Sequence, residues 1–224
     1  MVVLWAMPDS SRRPAIVNRV IAVEGALILL AWGVARFLDR PLFELIVFDR
    51  AGIAAGLLAT VPPCAAMVWS TRTTMPPFPG VRRDVERLIV PLFRGVSWWD
   101  MAIIALLAGV GEEIFFRGLL QTGLAGWAGL WPALLLTSIL FGALHWVTPI
   151  YALLAGLIGL YLGAFMAVSG NLIVPILVHV LYDFFALRYL AGRGRALAAG
   201  SSTTAAEHGG DAAAAGPPQP RTGS

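Results

Sequence analysis

Between Met101 and Ala186 the chain carries only four formal charges, Glu112, Glu113, Arg117 and Asp183, with His145 and His179 among them. They fall into three groups at helical spacing. The first is Glu112-Glu113-Ile114-Phe115-Phe116-Arg117; residues four apart share a helix face, so Glu113 can pair with Arg117 while Glu112 points about 100° away. In the second, Phe141 stands one turn before His145, and in the third His179 stands one turn before Asp183. If Glu113 and Arg117 cancel, Glu112 and Asp183 are left with His145 and His179 as possible partners. Carboxylates in apolar surroundings protonate, take up an imidazolium or bind a divalent cation. A carboxylate beside an imidazole can hold a water and remove its proton. Glu112, His145 and His179 also make a possible zinc ligand set, and His179 with Asp183 can orient toward or donate to a developing oxyanion.

The elements that must position these groups are membrane helices. The chain has 224 residues, 58% hydrophobic and only 13% charged, with a mean hydropathy of +0.77. A soluble domain is nearer 25% charged, which excludes an ordinary soluble enzyme, and the hydrophobicity excludes disorder for most of the chain. The expected fold is all-α, a polytopic bundle of about six transmembrane helices. Its first part, residues 1–97, holds two spans, Val20 to Val34 and Ala51 to Ser70, the second kinked at Pro62-Pro63. A charged, interfacial stretch from Asp39 to Arg50 separates them. An Arg-rich connection runs from Thr71 to Ser97, with a loop at Met75–Gly80, and Trp98 and Trp99 make a headgroup-level anchor. Residues 98–191 form a four-helix core, with helices expected at about 100–121, 131–147, 150–168 and 172–190 from the turn signals between them. Residues 192–224, rich in Ala, Gly and Pro, read as a disordered tail.

At about 1.5 Å per residue, Glu112 lies roughly 18 Å along its helix from Asp100 and His179 roughly 12 Å from Asn171, so both fall near mid-depth of a 30 Å core. All 16 basic residues are Arg. They are scattered without a basic stripe, so they read as topology signals and no nucleic-acid partner is expected. Arg36, Arg40 and Arg50 fall on one side. Arg12, Arg13, Arg19, the five of the connection, Arg188, Arg193, Arg195 and Arg221 fall on the other. Both termini are therefore expected in the cytoplasm. Arg in place of every Lys, with abundant Ala and Gly, points to a GC-rich bacterial genome and hence the bacterial inner membrane. Met1–Met7 is too short for a cleavable signal peptide. Cys64 reads as a small buried hydrophobe, Glu24 as a helix-packing or interface residue, and His208 as part of the tail. Phe115, Phe116 and Phe141 read as packing residues, and Gly111, Gly118 and Gly142 as points of close helix approach.

The three groups in this order resemble the CPBP family of intramembrane proteases, which includes the CAAX prenyl endopeptidases and bacterial bacteriocin-processing or immunity-type members. The family pattern is Glu-Glu-x-x-x-Arg, Phe-x-x-x-His and His-x-x-x-Asn or Asp on separate late helices, and the likeness spans about Met101 to Leu190. The resemblance implies an endopeptidase acting on a membrane-associated protein or peptide within the lipid bilayer. Glu112 would then be the general base that activates water, with His145 positioning that water and His179 and Asp183 facing the carbonyl oxygen. Glu113 and Arg117 would support them. The family is catalogued as metalloproteases; a metal-free glutamate mechanism is favoured, and a zinc-dependent version would use Glu112, His145 and His179. Asn is the commoner residue where Asp183 stands, and an ionised Asp cannot donate a hydrogen bond. Asp183 is then protonated, or fixes the tautomer of His179. A non-catalytic immunity or scaffold partner is the alternative reading, and a proton-coupled transporter a more distant one.

Overall fold

The computed structural model describes residues 13–93 and 96–214, with side chains described for 17–93 and 96–193. The expectations for Met1–Met7, Arg12, Arg94 and Arg221 lie outside the described residues, as do those for the side chains of Arg13, Arg195 and His208. All described secondary structure is helical. Helix α1 spans Arg13–Phe37 and α2 spans Arg50–Arg72; α3, Phe78–Asp84, runs on through a π turn and a 3-10 turn to Phe93. Helix α4, Trp98–Glu113, passes into a π-helix at Ile114–Gln121 and then into α5, Thr122–Ala128. Helices α6, Leu130–Leu144, α7, Pro149–Ser169, and α8, Ile173–Ala214, complete the bundle.

Four described stretches are long and apolar enough to cross a membrane: Val17–Phe37, Arg50–Arg72, Pro149–Ser169 and Ile173–Arg193. Helix α6 is apolar but shorter. The continuous stretch from Trp98 to Gln121 carries Asp100, Glu112, Glu113 and Arg117. The chain is thus an all-α membrane helix bundle.

Local chemistry sets the boundaries. The Asp49 carboxylate accepts from Gly52 N at 2.6 Å and starts α2. Ser97 and Asp100 form a reciprocal capping box at the start of α4. Thr148 caps α7, with Pro149 in its first turn, where a missing N–H costs nothing. Gly170 ends α7 at φ 62°, a left-handed conformation that suits glycine. Helix α2 runs through Pro62 and Pro63. Pro63 has no N–H to offer the carbonyl of Ala59 four residues back, and the Tyr161 hydroxyl on α7 donates to that carbonyl at 2.8 Å instead.

Three segments differ from the sequence expectation. The stretch between α1 and α2 is tied into the fold. Asn171 donates to Val47 O at 2.8 Å and accepts from Val47 N at 3.0 Å, while Leu172 N donates to Leu45 O. The connection between α2 and α4 is mostly helical from Phe78 to Phe93. It lies as a strap across the bundle, because Ile89, Val90 and Phe93 bury their apolar faces. Helix α8 continues past Gly192, where the composition predicts the tail to begin, as far as Ala214, consistent with the high helix propensity of its alanines.

Helix α8 packs against both α2 and α4, α6 against α7, and α1 against α4. Hydrophobic burial does not drive such contacts in lipid; close approach of small residues does. A Cβ on Gly109 of α4 would stand 2.5 Å from Val180 Cγ2 of α8, and one on Gly142 of α6 would stand 2.5 Å from the Ala152 carbonyl oxygen of α7. Gly142→Ala is therefore expected to force α6 and α7 apart at a cost of about 1–3 kcal/mol. A lowered melting temperature in detergent, compared with Gly25→Ala, where a Cβ meets nothing within 4 Å, checks this.

Candidate active site

The last turn of α4 and the π-helix that follows it supply the charged residues. Glu112 and Glu113 are both buried, and their side chains diverge as adjacent helical positions must. Glu113 Oε1 accepts from Arg117 Nη1 at 2.5 Å and from His179 Nδ1 at 2.7 Å. Arg117, itself 1% exposed, also donates from Nη2 to the Gly159 carbonyl of α7 at 2.8 Å, and its guanidinium lies 4.6 Å from the centroid of the Phe141 ring. One arginine thus joins the π-helix to α6, α7 and, through Glu113, α8. Charge pairing, hydrogen bonds and ring contact together make its burial tolerable.

Glu112 faces a different partner. Its Oε2 lies 3.6 Å from His145 Nε2 and has no hydrogen-bond partner. Helix α6 ends at Leu144, three residues before the expected end, where the chain turns toward Thr148-Pro149. His145 therefore caps that end. Its backbone N–H reaches Phe141 and Gly142 carbonyls, and its Nδ1 lies 2.8 Å from Phe141 O. A carbonyl oxygen only accepts, so Nδ1 carries the proton and Nε2 presents its lone pair toward Glu112. The imidazole also stacks on the Phe141 ring at 4.4 Å between centroids.

The same reasoning applies to His179, whose Nδ1–H is committed to Glu113. Its Nε2 lies 3.5 Å from Asp183 Oδ2. The tautomer of His179 is therefore set by Glu113, and Asp183 stands at the opposite ring nitrogen.

Glu112, His145, His179 and Asp183 line one cavity of about 290 Å³. It follows α8 from His179 to Arg193 and is walled by α4, α7 and the strap, including Ile89, Phe93 and Ile104. The strap is held across it by Glu86–Arg193 at 2.8 Å and by Arg82 Nη1 donating to Thr71 O at 2.9 Å. Glu113 and Arg117 sit behind this cavity. Both His179 nitrogens face carboxylates, and among the described residues no three His, Cys, Asp or Glu side chains are placed to hold a metal ion.

Three residues near the site were not read from the sequence as part of it. Tyr151 and Tyr182 line the cavity; Tyr182 adjoins Asp183 in the third motif, and Tyr151 opens the helix that follows His145. Glu24 of α1 is 1% exposed, with its Oε2 lacking a hydrogen-bond partner. It occupies the space left by Gly111, whose Cβ would stand 3.0 Å from that oxygen.

Removing one member of a buried ion pair leaves the other uncompensated and costs about 3–5 kcal/mol. Arg117→Met is expected to lower thermal stability by that order, and the double variant with Glu113→Gln to recover part of it. Melting curves of the three proteins in one detergent check the coupling.

Residues 94–185 match the family model described as Type II CAAX prenyl endopeptidase Rce1-like. Among curated proteins, the uncharacterized protein YpbD of Bacillus subtilis (strain 168) is 29% identical over 138 residues, which cover 59% of this chain and 63% of YpbD. The chain thus spans less than two thirds of the length of that relative. No solved structure gives a significant match. Residues 94–185, the stretch that contains every residue of the three motifs, are thus similar to the Rce1-like type II CAAX prenyl endopeptidases.

Proposed function

We propose that this protein is an intramembrane endopeptidase in which Glu112 activates a water for attack on a peptide carbonyl. The observation that carries this reading is the facing pair of Glu112 Oε2 and His145 Nε2, 3.6 Å apart at the wall of a shared cavity. Both atoms are acceptors, so a water between them donates one proton to each and turns its lone pairs toward the cavity. As the oxygen bonds to the carbonyl carbon, Glu112 takes a proton; when the C–N bond breaks, it returns that proton to the leaving nitrogen. The His145 ring is held for this by the Phe141 carbonyl and the Phe141 ring. Glu113 and Arg117 hold His179 at the same cavity.

The substrate class follows from the cavity and the family. Apolar walls and a site deep in the bundle suit a peptide bond near a membrane anchor, either a prenylated C-terminus, as in the family's name, or the end of a transmembrane segment. The distribution of Arg residues supports an orientation with both termini in the cytoplasm. The strap and the Arg193 end of the cavity then face that side, so the substrate enters from the cytoplasmic leaflet of a bacterial inner membrane.

Glu112→Gln and His145→Ala are expected to abolish cleavage, leaving membrane insertion and melting temperature close to wild type. Two measurements check this. Purified protein is assayed on a quenched, farnesylated CAAX peptide. The membrane proteome of a deletion strain is also compared with strains restored by wild type or Glu112→Gln. New peptide termini that need both the protein and Glu112 support the reading and identify the substrate. Equal turnover by Glu112→Gln removes the assignment of the base, and variants that lose only abundance or melting temperature point to a scaffold.

A further inference from the structure

We propose that the Tyr151 hydroxyl donates a hydrogen bond to the carbonyl oxygen as it becomes an oxyanion. The inference rests on the endopeptidase reading and adds a catalytic residue to it.

The tetrahedral intermediate needs donors aimed at the new negative charge, and the motif residues offer few. Glu112 and Asp183 are acceptors as carboxylates. The Nδ1–H of His145 is committed to Phe141 O and that of His179 to Glu113. A His179 imidazolium would gain an Nε2–H, but that nitrogen already faces Asp183. A donor that is neutral and uncommitted is missing from the motifs.

Tyr151 has the required properties. It lies in the first turn of α7, where its backbone N–H is held by Thr148 Oγ1 at 3.3 Å. Its ring packs against the cluster of Val20, Ile89, Phe93, Met101 and Ile104, which fixes the phenol. It lines the cavity shared by Glu112, His145, His179 and Asp183. The hydroxyl is within electrostatic reach of both Asp183 and Glu112, yet it makes no hydrogen bond among the described residues. Tyr151 is half-buried, and its hydroxyl is left for whatever enters the cavity. Tyr182 lines the same cavity but adjoins Asp183 on α8, whereas Tyr151 opens the helix that follows His145.

The step balances simply. The water oxygen bonds to the carbonyl carbon while one water proton passes to Glu112, and the carbonyl π pair moves onto oxygen. That oxygen accepts the Tyr151 hydrogen bond, with the phenolic proton remaining on tyrosine. Collapse re-forms the carbonyl and breaks C–N, the nitrogen taking the proton from Glu112.

The test is Tyr151→Phe, which keeps the packed ring and removes the donor. It is assayed on a quenched peptide spanning a cut that requires Glu112. Loss of one oxyanion donor is expected to lower kcat about 100-fold, with KM changed less than about threefold. A peptidyl phosphinate of the same sequence, which mimics the tetrahedral intermediate, is expected to bind more weakly by a similar factor. Tyr161→Phe, which removes the hydrogen bond to Ala59 outside the cavity, serves as the control and is expected to lower melting temperature more than kcat. If Tyr151→Phe also melts early, Tyr151→Met and the phosphinate affinity give independent readings. Turnover by Tyr151→Phe within twofold of wild type, with unchanged phosphinate affinity, overturns the inference alone. Failure of wild-type protein to cleave any peptide removes the endopeptidase reading, and the inference with it.

Discussion

A guanidinium cannot sit in the middle of a lipid-embedded bundle without a complete set of partners, and the arrangement around Arg117 is the solution to that demand. Its five N–H donors are planar and fixed in direction, so Glu113, the Gly159 carbonyl and the Phe141 face must each come from a defined place. Those partners lie on the last turn of α4, on α7 and on α6. Because Glu113 Oε1 also accepts from His179, the requirement extends to α8. The ion pair is thus less a source of net stability than a constraint that selects one arrangement of helices over others.

That constraint separates two neighbouring carboxylates by role. Glu113 accepts through Oε1 from both Arg117 and His179, whereas Glu112 turns an oxygen without a hydrogen-bond partner toward His145 at the cavity wall. The roughly 100° between adjacent residues on a helix achieves this without any difference in side-chain type. His145 gains its freedom to face Glu112 in a comparable way. By ending α6 it places one ring nitrogen on the Phe141 carbonyl, beside its own backbone N–H, and so the other nitrogen is available.

Much of this was legible in the sequence because charge is so rare there. The all-α membrane fold followed from apolar runs, and the pairing of Glu113 with Arg117 and the facing of Phe141 and His145 followed from spacing along single helices. Contacts between helices were not legible. Nothing in the sequence states that His179 turns Nδ1 to Glu113 while Asp183 takes the other nitrogen, since that depends on how α4 and α8 pack at Gly109 and Val180. The strap was missed for a related reason. Its arginines and prolines read as a polar connection, while the burial of Ile89, Val90 and Phe93 depends on a surface that only the assembled bundle provides. Glu24 reads from the sequence as a packing or interface residue; its burial beside Gly111 is consistent with packing, and that contact between α1 and α4 could not be seen along the chain.

The wide turns from Ile114 to Gln121 have a consequence for how this stretch tolerates changes in length. A π-helical segment contains one residue more than an α-helix of the same reach. At one end of it Glu113 and Arg117 are set, and at the other Gln121 donates to the Gly163 carbonyl of α7 at 2.9 Å. Deleting a single residue between Arg117 and Gln121 would return the stretch to ordinary helical winding over nearly the same reach, leaving both anchors beside α7. The wide turns therefore give this stretch a residue that it can lose without parting Arg117 from Gly159 or Gln121 from Gly163.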